Sequence, residues 1–320
     1  MDVLSDVITS MRSGRPHAAR TDNHGSWGVR FPDSDGAGFH VVLSGVCWLL
    51  PANGAPIPLS PGDVVFLPHG RGHGLADAPD TPLDRFRPRE EAPPSGAHLA
   101  APDREPVPPG PRTRLLCGAY RLERGRSHPL LTDLPEVVHL PARLDRHPEL
   151  RAAVDLLGRE LETPRPGAGA VVTALLDMLL LYVLRAWYEE QADRTPSGWG
   201  AALHDPAVAE ALRAIHQDPA HPWTVESLGR AAGLSRAAFA RRFTALAGQP
   251  PLGYLTWWRM TLAARLLRDS ELPLRAVAQR TGYVSEFAFA KAFKREYGMP
   301  PGGYRRGVTE PVALRAAAGE

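Results

Sequence analysis

The chain has 320 residues, 37 of them Lys or Arg and 35 Asp or Glu, for a net charge of +2. That length calls for about two domains with separate cores, and two cysteines are too few for a disulfide-built scaffold. No basic-then-apolar leader opens the sequence, so a reducing, cytoplasmic setting is expected.

In chain order, residues 1–13 place Val3, Leu4, Val7, Ile8 and Met11 on one face, the pattern of a short amphipathic helix. A β-rich body follows. Segments 27–31, 39–45, 47–50 and 63–67 are short apolar runs between Gly and Pro turns, as in a sandwich or jelly roll. Residues 85–112 are dense in Pro, Ala and Arg with few large apolar side chains, which predicts a mobile loop. Strands resume at 113–122 and 136–140. Two helices are expected at about 147–162 and 168–192, split by Pro164 and Pro166.

The second of these helices carries Val171, Leu175, Met178, Leu179, Tyr182, Leu184 and Trp187, apolar nearly all round. It suits a core helix packed on the β body, or a dimer interface that brings two C-terminal modules together. It contains Asp177 and Arg185 and is short for a bilayer span, so no membrane partner is expected. Residues 193–200 read as a linker and 311–320 as a loose tail.

The region 223–306 repeats itself. Ser235, Phe239, Ala240, Arg241 and Phe243 recur as Ser285, Phe289, Ala290, Lys291 and Phe293, 50 positions on. Gly248, Pro250, Pro251, Gly253 and Tyr254 likewise match Gly298, Pro300, Pro301, Gly303 and Tyr304. Upstream the offset is 49, with Gly233 opposite Gly282 and Leu228 opposite Val277, so the extra residue, Val284, lies in a turn. Two copies make a duplicated supersecondary unit rather than a solenoid. In each, a capped helix is stopped by a glycine, and Ser235 or Ser285 caps the next, whose two Phe residues sit at i and i+4. A short Gly-containing turn between helices is the geometry that sets a second helix into a DNA major groove.

The outward positions of the second helices carry the chemistry. They are Arg236, Ala237, Ala240, Arg241 and Thr244 in the first copy, and Glu286, Phe287, Ala290, Lys291 and Lys294 in the second. Arg and Lys donate to guanine or phosphate, Ala and Phe pack on a thymine methyl, and Glu accepts from cytosine. Arg242 is a further expected phosphate contact. Charge agrees: residues 203–308 hold 15 Lys or Arg against 8 Asp or Glu, while the remainder holds 22 against 27. A basic module on an acidic body suits a nucleic-acid partner.

The segment 278–305, with Gly282, Ser285, Phe289, Phe293, Gly298, Pro300 and Pro301, closely resembles the signature of the AraC/XylS family of transcription regulators. The resemblance covers about 203–308. It implies two readers held by a linker helix, here 252–267, entering major-groove segments about one helical turn, ~34 Å, apart. It also implies that the region of helix 168–192 serves as a dimer interface.

Within the β body, Pro61, Gly62, Asp63, Pro68, Gly70 and His73 resemble the second cupin motif, and residues 1–140 look like the cupin-type sensor domain of many AraC-family regulators. The first cupin motif normally supplies a His-x-His pair and a Glu. Only His40 stands there, with Gly38 two residues before it, which argues against an iron or manganese enzyme site. Cys47, Cys117, His69 and His73 offer another constellation, two thiolates and two imidazoles suited to zinc or another transition metal. Cys47 and Cys117 alone offer a reversible disulfide switch if exposed and acidified, or simply two reduced packing residues.

The expected architecture is α+β with two domains: a jelly-roll, cupin-like sensor at 1–140, a helical dimerisation segment at 141–202, an all-α double helix-turn-helix domain at 203–308, and a flexible tail at 309–320. The expected function is transcription regulation, as an activator or a repressor, with double-stranded DNA, RNA polymerase, a second copy of the chain, and a small-molecule or redox effector as partners. The competing reading is a cupin metalloenzyme fused to a DNA-binding module. A purely architectural DNA binder is disfavoured by the size of the sensor-like body.

Overall fold

The computed structural model describes residues 3–11, 16–34, 36–86, 110–120, 128–142, 146–163, 165–192 and 198–309. The chain divides into two compact units, Arg12–Gln191 and a second made of Met1–Met11 together with Ala192–Glu320. Most of the expected mobile loop, residues 87–109, lies outside the described residues, as do 193–197 of the linker and 310–320 of the tail.

After helix α1 (Val3–Met11) come strands β1 (His17–His24), β2 (Gly28–Phe31), β3 (Ala37–Ser44), β4 (Cys47–Pro51), β5 (Ile57–Leu59), β6 (Val64–Leu67), β7 (His73–Ala76), β8 (Asp84–Arg85) and β9 (Arg112–Tyr120). Helix α2 (Pro129–Thr132), strand β10 (Val138–Leu140), α3 (Pro148–Glu162) and α4 (Ala168–Ala192) follow. One sheet runs β1-β9-β3-β6-β10 and the other β5-β4-β7-β2-β8. Every pairing is antiparallel except that of β2 with the short β8.

Side chains alternate faces along a strand, so every second residue reaches the interior. Val42, Val65, Leu67 and Leu115 from the first sheet meet Cys47, Leu49, Leu59 and Leu75 from the second in one buried cluster. This is a β-sandwich. The Pro61-Gly62 turn presents Asp63 inward, where its carboxylate accepts from the N–H groups of Ser60 (3.1 Å) and Ala142 (2.8 Å) and meets the His139 ring at 3.0 Å.

Helix α4 is a core helix of this unit. Its Leu176, Leu179, Val183 and Leu184 are buried, and Tyr120 of β9 donates to the Leu176 carbonyl at 2.7 Å. Met178 and Val171 stay exposed. Helices α3 and α4 therefore belong with the sandwich, not with a separate 141–202 segment.

The second unit is all helix: α1, α5 (Trp199–His204), α6 (Pro206–Gln217), α7 (Val225–Ala231), α8 (Arg236–Ala247), α9 (Pro251–Asp269), α10 (Leu274–Arg280), α11 (Glu286–Tyr297) and α12 (Pro301–Thr309). Helix α1 corrects the expected 1–140 domain. Its buried Val3, Val7 and Ile8 lie on the unit containing α6 and α9, which it contacts. The physical reason is a buried polar chain. Asp6 Oδ2 meets His216 Nδ1 at 3.2 Å, His216 Nε2 meets the Tyr254 hydroxyl at 2.7 Å, and the imidazole stacks on Trp258 at 4.0 Å. Buried polar groups need such partners, and α1 supplies one.

Candidate nucleic-acid interface

The sequence repeat is also a geometric repeat. Thr224 caps α7 by a reciprocal pair: its hydroxyl accepts from Ser227 N–H at 3.0 Å, and the Ser227 hydroxyl accepts from Thr224 N–H at 2.9 Å. Helix α10 starts from Pro273 and has no side-chain cap. Gly233 and Gly282 end these helices with φ of 68° and 76°, a left-handed conformation that a Cβ would strain. Ser235 and Ser285 then open α8 and α11, each hydroxyl accepting an N–H three residues on at 3.4 Å.

The buried faces match ring for ring. Phe239–Phe243 centroids lie 5.6 Å apart and Phe289–Phe293 centroids 5.8 Å. Edge contacts to Tyr254 at 6.0 Å and to Tyr304 at 5.4 Å complete the two sets. Helix α9 serves both. Its first half sets Tyr254 against Phe243 of the first reader and Trp258 on His216 of α6, and its second half sets Met260, Ala263, Ala264 and Leu267 among Val277, Ala278, Phe289 and Phe293 of the second. Its 19 residues span about 28 Å, close to the ~34 Å between successive major-groove faces.

The opposite faces are open. Arg236, Ala237, Arg241, Thr244, Glu286, Phe287, Lys291 and Lys294 are exposed, and Ala240 and Ala290 are half-buried. Among the described residues, no ion pair or hydrogen bond engages the side chains of Arg236, Arg241, Lys291 or Lys294. Three other cations of the unit are tied to its scaffold. Arg242, expected on phosphate, grips Asp205 through Nε at 2.6 Å and Nη2 at 2.5 Å. Asp205 also caps α6, so Arg242 is tied to the scaffold. Arg259 donates to the Pro219 and His221 carbonyls, and Arg305 to that of Leu272.

In the sandwich, the residues expected to bind zinc do not assemble. Among the described residues no group of three or more His, Cys, Asp or Glu is placed to hold a metal ion. His69 turns away to the Leu134 carbonyl at 2.8 Å. Cys47 is buried and Cys117 half-buried, both in the apolar cluster, and both are free thiols. Burial pushes each thiol up to about 12, helped by Asp63 beside Cys47 and by Cys47 beside Cys117. That favours packing over the acidified thiolate of a reactive cysteine. The donor set therefore does not fit the metal, and no chemistry is routed through one.

What the sandwich does bring together is His40 and His73. Their Nε2 atoms lie 2.7 Å apart, and Phe31 stacks on His73 at 4.9 Å. His73 Nδ1 is 3.0 Å from the Arg71 carbonyl and so carries a proton. Its Nε2 then accepts from His40 Nε2–H, leaving His40 Nδ1 buried without a partner. Burial and the facing His73 hold His40 well below its ordinary value, and burial lowers His73 too. Sequence spacing gave no signal for this pair. The two lie on β3 and β7, strands of different sheets, so it is the face-to-face packing of the sandwich that joins positions 33 apart.

Comparison with known proteins agrees with the two-part architecture, with α1 falling inside the cupin match. The family model described as Cupin matches residues 2–189, and that described as Helix-turn-helix domain matches 228–307. An AraC-like transcription regulator of Streptomyces lividans is 36% identical over 315 residues, covering 97% of this chain and 100% of that one. The chain belongs to the AraC family. A second AraC-like regulator, from Streptomyces antibioticus, is 37% identical over 96% of this chain and 99% of its own. The DNA-binding domain of AdpA, solved with a target DNA, is 35% identical, covers 36% of this chain and 96% of that one, and has a TM-score of 0.31.

This AraC-family regulator holds its readers with residues that spacing did not flag. Arg259 is the clearest. From α9 it reaches the loop before α7, while its guanidinium lies 6.0 Å from the centroid of Tyr283, in the turn of the second reader.

Proposed function

We propose that this AraC-type DNA-binding transcription regulator is a one-component sensor, with the sandwich receiving a signal and α8 and α11 reading two successive major-groove segments. One observation carries the reading. Among the described residues, Arg236, Arg241, Lys291 and Lys294 stand exposed with no ion pair or hydrogen bond on duplicated helices, while Arg242, Arg259 and Arg305 in the same unit are spent on the scaffold. Phosphate contacts from these cations supply affinity, and base edges opposite residues 236–241 and 286–291 supply discrimination.

The exposed Val171 and Met178, seven residues apart on α4, support a homodimer formed through that helix. The regulator acts in the cytoplasm as an activator that engages RNA polymerase, without catalysis of its own. Its effector reaches the sandwich, whose cleft near His73 is lined by Phe31, Asp33, Leu50 and Leu83.

Site selection from random duplexes, followed by footprinting, tests the reading. Arg241→Ala is expected to cost ~1–3 kcal/mol and to relax preference at one base pair if the guanidinium is bidentate to guanine. A uniform loss over all sequences makes Arg241 a phosphate contact. No loss at all refutes its place in the interface.

A further inference from the structure

The two readers are copies in their cores but not at their tips. The repeat runs at an offset of 49 up to Gly282 and 50 from Ser285, so Val284 has no counterpart in the first copy. It is also the most exposed large hydrophobic side chain described, at 104% of its reference area, followed by Phe287 at 79%. The two sit three residues apart, one just before the Ser285 cap and one in the first turn of α11. At the matching stations the first reader carries Ala237 in place of Phe287 and Arg236 in place of Glu286.

These differences are chemical. The first tip is small and cationic. The second is large and apolar, with an anion beside it. A carboxylate is repelled by phosphate, so Glu286 favours an approach in which this tip faces base edges. The backbone is then met further along the helix, where Lys291 and Lys294 are exposed. In the major groove, the apolar feature presented by an unmodified base pair is the 5-methyl group of thymine.

We propose that Val284 and Phe287 form a methyl-reading patch, which makes the second reader selective for thymine at one or two positions of its half-site. This rests on the DNA-reading function proposed above, and adds which base the second half-site must contain.

The test uses the full chain and its selected operator. Each thymine is replaced in turn by deoxyuridine, which removes the methyl and nothing else. At one or two positions in one half-site the replacement is expected to weaken binding about fourfold, the transfer value of one buried methylene. Phe287→Ala and Val284→Ala, both at exposed positions that leave the core intact, are expected to bind thymine and deoxyuridine duplexes with a narrowed difference. A selected operator indifferent to deoxyuridine everywhere overturns this inference alone. So does Phe287→Ala with full discrimination retained. If that variant keeps its discrimination but loses output in a reconstituted transcription reaction, the patch is a protein contact and the inference fails. A random pool that yields no preferred site overturns the DNA-reading function itself, and this inference with it.

Discussion

Arg259→Met tests whether the two readers are held in one fixed relation. The guanidinium donates to the Pro219 carbonyl at 2.7 Å and the His221 carbonyl at 2.9 Å, in the loop that leads into α7. A Cβ on Gly282 would lie 2.6 Å from its Nη2, so the turn of the second reader closes directly on it. Met keeps the aliphatic stem and deletes both donors. A charge-assisted hydrogen bond contributes ~1.5–3 kcal/mol when buried; for this half-exposed group the pair together is set at about 2 kcal/mol. In a helical unit of this size that lowers the melting temperature by roughly 6–10 °C. The functional assay varies the spacing between half-sites by one base pair, which rotates the second site by about 34°. Wild type is expected to reject the mis-spaced operators more strongly than Arg259→Met does. Unchanged melting together with an unchanged spacing profile refutes the clamp.

Three further outcomes follow from the same geometry. Asp205→Ala removes both the α6 cap and the partner of Arg242; it is expected to cost ~1–3 kcal/mol in denaturant unfolding while leaving base preference intact. A shifted base preference with unchanged stability would place Arg242 on the DNA instead. With both thiols pushed up to about 12 from an ordinary 9.0, alkylation of the native protein at pH 8 is expected to run about a thousandfold slower than for the unfolded chain. Fast labelling of either cysteine would revive the disulfide switch, and Cys117→Ser would then abolish an oxidant response. His40 and His73 have folded values below their ordinary 6.5, so the unfolded state takes up more protons as pH falls. Their contribution is therefore fully present above about 6.5 and is lost on acidification, seen as a falling melting temperature of the sandwich between pH 7.5 and 5. A flat profile over that range would refute it.

The duplicated readers were legible because packing repeats chemistry: a capping Ser, two Phe at i and i+4, a stopping Gly and a distal Tyr recur together wherever the same core recurs. The Pro61-Gly62-Asp63 turn was legible for a similar reason, since it must bend the chain into β6. Strand β1 was not, because His17–His24 is polar and half-exposed at a sheet edge and lacks alternation. Arg241 and Arg242 look alike in sequence. Asp205, 37 positions away, separates them by engaging one. The amphipathic pattern of α1 showed that one face is buried but not against what, and its Asp6 partner, His216, lies 210 residues on.

That last pairing makes the DNA-reading unit discontinuous along the polypeptide. Residues up to Met11 belong to it, the sandwich follows, and the chain returns to it at Ala192. The sandwich, Arg12–Gln191, is thus an insert within the sequence of the other unit. A fragment starting at 192 would lack the acid that His216 faces, and would expose the seat from which Val3, Val7 and Ile8 were removed.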